Sequence, residues 1–73
     1  MKQQILDGIA AILEVPAVTP ETVLANAGGN DWDSMSIVCA IALIDEKCSV
    51  EVSGPDLAKC EKAGDVLKLA GVE

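Results

Sequence analysis

Seventy-three residues make a single domain, and a chain of that size buries only about 60% of the surface it would expose unfolded, so its stability is modest. Apolar residues make up 51% of it, yet Trp32 is the one aromatic; the core must come from Ile, Leu, Val and Ala, which suits small packed helices better than an aromatic-rich β-sandwich. Twelve acids against five bases give a net charge of −7, which disfavours nucleic-acid binding and favours partners with basic patches.

Met1-Lys2-Gln3-Gln4 opens directly into an amphipathic segment, without a leader-like run. No apolar stretch reaches the ~18 uninterrupted residues of a membrane span. The expectation is a cytoplasmic protein. From Lys2 to Glu14, Ile5, Ile9, Ile12 and Leu13 recur at helical spacing with Leu6 on the edge, predicting a first helix. Pro16 stops it, because the residue before a proline is pushed out of the α region. Gly8 either weakens this helix by about 1 kcal/mol relative to Ala or marks a close backbone approach.

A long connection follows, Val15 to Asp33, and connections of that length usually have a role. Thr19-Pro20-Glu21-Thr22 reads as a cap with proline at the first helical position, predicting a single turn before Val23 and Leu24. Those two residues, with Val18, are expected to pin the loop to the core. Ala25 to Asp31, with Asn26, Gly28, Gly29 and Asn30, is a turn cluster without periodicity.

The second helix is expected from Ser34 to Lys47, capped by the Asp33 carboxylate. Ile37, Val38, Ile41 and Ile44 give its apolar face, with Met35, Ala42 and Leu43 partly outside it. Its acids, Asp45 and Glu46, come only at the end, so the helix surface is unusually apolar. Cys48 to Val52 alternates like a strand but has nothing to pair with, and reads as an extended connection. Ser53-Gly54-Pro55-Asp56 caps a short turn through Leu57 to Lys59. A last helix from Lys62 to Ala70 buries Ala63, Val66, Leu67 and Ala70 or Leu69, and Gly71 ends it. The fold class is all-α: a small bundle of three main helices plus a short fourth, with a long loop between helix 1 and helix 2.

The chemistry available is narrow. With no histidine, neither a Ser-His nor a Cys-His pair can be assembled, and Lys47 sits near the far end of the helix that Ser34 opens. Asp31 and Asp33 fail as a calcium loop, since positions 5 and 12 counted from Asp31 fall on Met35 and Ala42. Cys39, Cys48 and Cys60 form no C-x-x-C pair and lack histidine partners for zinc. They read as reduced packing thiols, with Cys39 buried in the apolar run. Neither a catalytic nor a metal site is expected.

This leaves Ser34 as an attachment point. Asn30-Asp31-Trp32-Asp33-Ser34-Met35 ends at the mouth of a helix, where unpaired backbone N–H groups and the helix dipole favour an anion such as a phosphate ester. Asp33-Ser34-Met35 opens an apolar helix after a long loop, and Ala63-Gly64-Asp65-Val66-Leu67 closes the chain. In an acidic helical domain of this size the pattern resembles an acyl carrier protein, over most of the chain. The resemblance implies that Ser34 carries 4′-phosphopantetheine through a phosphodiester, added from coenzyme A by a phosphopantetheinyl transferase. It implies that Asp33 helps the transferase hold Mg²⁺ and phosphates. The thiol of the arm would then carry acyl groups as thioesters between acyl-transferring or synthase enzymes, the protein being no enzyme itself and acting as a monomer.

In that family the residue type at Met35 faces partners. Met35, Ile37, Trp32, Asp45 and Glu46 are therefore the candidate partner surface, with Trp32 read first as an anchor of the loop to the bundle and otherwise as lying beside the arm or a partner. Fatty-acid members usually show several acids along this helix, where Ser36 and Cys39 stand here and Ile37 is apolar. Trp32-Asp33 also differs from the common Gly-Ala-Asp and Gly-Gly-Asp/His forms. These departures point to a specialised carrier, in polyketide, lipid-modification or peptide-like assembly, rather than the housekeeping fatty-acid one. Two alternatives stay open. One is a peptidyl or aminoacyl carrier loaded by an adenylating enzyme, of which Gly28-Gly29 is weakly reminiscent. The other is an unmodified helical interaction domain.

Overall fold

A computed structural model describes residues 2–26, 28–29 and 31–72. Ala27 and Asn30 of the glycine-containing turn cluster lie outside the described residues, as do Met1 and Glu73. The described residues form four α-helices: α1 (Lys2–Leu13), α2 (Ser34–Cys48), α3 (Gly54–Ala58) and α4 (Ala63–Ala70), with one 3-10 turn at Leu24–Asn26. They contain no strand, only an isolated antiparallel bridge between Val23 and Lys62. None of these helices is long and apolar enough to cross a membrane. The all-α bundle with a long first connection is the observed fold.

The helices close a ring in which α1 packs on α2 and α4, and α3 packs on the same two. Aliphatic side chains fill the centre: Ile5, Ile9, Leu13, Leu24, Ile44, Leu57, Val66 and Leu67 have no exposed surface. On α1 the buried set is Ile5, Leu6, Ile9, Ala10 and Leu13. Leu6 thus belongs to the core, and Ile12, expected there, is half-buried. The helix stops one residue early. Glu14 turns left-handed at φ 56, and Val15 N–H donates back to Ala10 O at 3.0 Å. Gly8 sits where α1 meets α2: a Cβ there would come 2.6 Å from both Leu43 methyls. The close-approach reading of that glycine is the one observed.

The first half of the long loop is fastened to α4 through backbone. Leu24 N–H donates to Glu61 O at 2.9 Å, Ala63 N–H to Thr22 O at 3.0 Å, and Gly64 N–H to Pro20 O at 2.9 Å. A Cβ on Gly64 would lie 3.1 Å from that Pro20 oxygen, so the glycine permits the approach. Thr19 to Thr22 does form a turn, closed by Thr22 N–H on Thr19 O at 3.0 Å. Val18 and Leu24 are buried as expected, but the Val23 side chain is 41% exposed. The loop is fastened on either side of Val23 instead, through the Thr22 carbonyl and the Leu24 N–H.

Toward the C-terminus the caps fix short elements. Ser53 Oγ accepts from Asp56 N–H at 3.3 Å, Pro55 occupies the first turn of α3, and the fully buried Leu57 anchors it. Lys62 caps α4 rather than beginning it. Asp65 Oδ2 accepts from Glu61 N–H at 3.0 Å and from Lys62 N–H at 3.1 Å. Those bonds hold the Asp65 carboxyl below its ordinary value of 3.8. Gly71 closes α4 at φ 76, Ala70 is buried and Leu69 half-buried.

Candidate functional site

Two serines two positions apart at the start of α2 have opposite fates. Ser34 is the first residue of the helix and is exposed. Ser36 is 5% exposed, and its hydroxyl donates to the Asp31 carbonyl at 2.8 Å. Between the loop and the helix stands Asp33, in extended backbone at φ −109 and ψ −170. Its Oδ1 accepts from Ser36 N–H at 3.0 Å, and its carbonyl accepts the first helical bond, from Ile37 N–H at 2.9 Å. The N-cap assignment from sequence is therefore the observed one. The Ser36 amide holds the Asp33 carboxyl below its ordinary 3.8, so a negative charge stands at the helix entrance at neutral pH.

Trp32 fixes the other side of this loop. It is half-buried, and its indole N–H donates to the Leu57 carbonyl of α3 at 3.0 Å. The 31–33 segment is thus tied twice, to α2 through Ser36 and to α3 through Trp32, and Ser34 is presented from a fixed frame.

A groove of about 420 Å³ opens beside Ser34, lined by Ile12 from α1, Asp31 and Asp33 from the loop, and Met35, Ser36 and Cys39 from α2. No family model, curated protein or solved structure matches this chain. Among the described residues no group of three or more His, Cys, Asp or Glu side chains is arranged to hold a metal ion.

The exposed face of α2 differs from the sequence reading. The buried row is Ser36, Ala40 and Ile44. Val38, expected in the core, is 64% exposed and Met35 is 77% exposed. Ile37, placed by sequence on a partner-facing patch, is half-buried against the core, with Cγ2 3.8 Å from where a Cβ on Gly54 would stand. Cys39, expected to be buried, is exposed, while Cys48 and Cys60 are half-buried. The outward apolar row is thus Met35 and Val38, with Asp45 and Glu46 exposed at the far end of the helix. Sequence reasoning missed Ser36 as the loop's fastener and Ile12 and Cys39 as groove residues. The signal for Ser36 was present, a lone hydroxyl inside an apolar run.

Proposed function

We propose that this protein is a carrier bearing 4′-phosphopantetheine on Ser34 and passing thioester-bound acyl groups between enzymes. The observation that carries the reading is the exposed Ser34 hydroxyl at the first residue of α2, on a loop held at both sides. A phosphodiester there would lie at the positive end of a 15-residue helix, where a negative charge is well tolerated. Ser36, the only neighbouring alternative, is buried and already donating. The residues present therefore fit the group.

In this reading Ser34 Oγ attacks the β-phosphorus of coenzyme A, 3′,5′-adenosine bisphosphate leaves, and the serine proton passes to a base. This chain has no histidine, so the transferase must supply that base. Asp33, kept ionised, would help the transferase hold Mg²⁺ at the site of transfer. When attached, the arm supplies a terminal thiol that holds acyl groups as thioesters. A flexible tether raises the effective concentration of its cargo at each partner's active site. Met35 and Val38 offer partners a compact apolar contact next to the tether, and Asp45 and Glu46 a charged one. The small, uncharged first two turns of α2 favour a role in specialised lipid, polyketide or peptide-like synthesis in the cytoplasm.

Purified protein incubated with coenzyme A and a broad-specificity transferase is expected to gain one phosphopantetheinyl group, located on Ser34 by fragmentation mass spectrometry. Ser34→Ala should abolish the gain and leave the helical circular-dichroism signal unchanged. Labelling that persists in the alanine variant, or a wild-type protein that never labels, overturns the assignment.

A further inference from the structure

We infer that Ser36 is a positioning residue for phosphopantetheine transfer, on the reading that Ser34 is the tether: its buried hydroxyl keeps the first turn of α2 closed while the transferase docks on it. Ser34 and Met35 lie ahead of the first helical hydrogen bond, the one that Ile37 N–H donates to Asp33 O at 2.9 Å. Helix ends of this kind fray, because their leading amides have no intrahelical acceptor. A nucleophile presented from a frayed turn has no fixed direction of approach, and small misplacements are costly in rate.

Ser36 closes that turn from the inside. Its N–H donates to Asp33 Oδ1 at 3.0 Å and its hydroxyl to Asp31 O at 2.8 Å, so one residue grips the incoming chain on both sides of Trp32. Among the described residues it is the one buried polar side chain, and it shares its buried row with Ala40 and Ile44. Alanine would suit that row for packing; what the hydroxyl adds is the second grip. The gripped segment is itself seated on the rest of the bundle. The Trp32 indole N–H donates to Leu57 O of α3 at 3.0 Å, and a Cβ on Gly29 would overlap the Leu13 carbonyl oxygen at the end of α1. Ser36 is therefore the side-chain link that joins the first turn of α2 to a segment resting on α1 and α3. Without its hydroxyl the turn opens more often, the transferase meets fewer closed carriers, and its apparent affinity falls with the closed fraction. Once bound, the turn is the same as in the parent, so the chemical step is unaltered.

The test measures transfer to the full chain at steady state, with the carrier and coenzyme A varied separately. Ser36→Ala should raise the KM for the carrier by roughly two- to tenfold, the worth of a single net hydrogen bond, and leave kcat and the KM for coenzyme A unchanged. Exchange of the Ile37 amide, which reports opening of the first turn, should quicken in the same variant. Ser36→Thr keeps the hydroxyl and should keep the parent's KM. Val66→Ala, a core deletion on α4, controls for lost stability and should keep it too. A carrier KM unmoved by Ser36→Ala, or raised as much by Ser36→Thr or Val66→Ala, would overturn the inference and leave the carrier reading standing. A parent protein that never labels would remove both.

Discussion

Ser34 and Ser36 show how little more than half a helical turn separates a presented hydroxyl from a structural one. Ser36→Ala removes a buried donor and leaves the Asp31 carbonyl without it, so the variant should lose about 1–2 kcal/mol in a urea titration. Ser34→Ala, at an exposed position, should leave the midpoint almost unmoved. The thiols divide in a similar way. Cys39 is exposed, whereas Cys60 is half-buried and its thiol is pushed up to about 11, by burial first and then by Asp65 and Asp56. Alkylation near pH 8 is therefore expected to modify Cys39 well before Cys60, as peptide mass mapping would show; comparable rates would contradict the burial of Cys60. At this scale the sequence was informative where chemistry is local. Asp33 as a cap follows from the residue and its two neighbours. Cys39 and Val38 did not follow, because their exposure depends on where α1 and α3 come to rest.

The elements were legible in proportion to their asymmetry. α4 alternates sharply between apolar and charged positions, and its buried set Ala63, Val66, Leu67 and Ala70 matches its sequence pattern. α2 is apolar around most of its circumference, so periodicity cannot choose a face; the choice is made by the fit against Gly8 and Gly54. Gly8→Leu should accordingly force Leu43 away and destabilise the fold by about 1–3 kcal/mol. Leu43→Ala in the same chain should restore part of the loss, a positive coupling measurable in a double-mutant cycle. Gly8→Ala is expected near neutrality, since its helix propensity gain of about 1 kcal/mol offsets a small shift of the flexible Leu43 end. The fastening of the long loop to α4 was beyond the sequence altogether, because it joins the Pro20–Leu24 backbone to residues some forty positions away through groups that every residue carries. The burial of Leu24 inside that fastening makes Leu24→Ala a core deletion, costing about 2–5 kcal/mol.

For the molecule as a whole, a charge of −7 and two cap carboxylates set opposite responses to acid. Asp33 and Asp65 both sit below their ordinary 3.8 when folded. Their contribution is present in full above that value and is lost as the pH falls through the lower folded value. Protonation also relieves the self-repulsion of the other acids, so the informative quantity is a difference between proteins. The Asp33→Asn, Asp65→Asn double variant keeps cap acceptors that do not titrate. Its thermal midpoint should fall less than the parent's between pH 5 and pH 3, about the range in which carboxylates protonate. Identical acid profiles would mean that the two caps contribute nothing ionic. Finally, the bond from the indole of Trp32 to the Leu57 carbonyl places the chain's lone strong chromophore two positions from Ser34. Its emission is thus a built-in lamp on the doorway: if Ser34 carries the proposed arm, transferase encounter, loading and release should each shift its colour or brightness, and can be followed in real time without a dye.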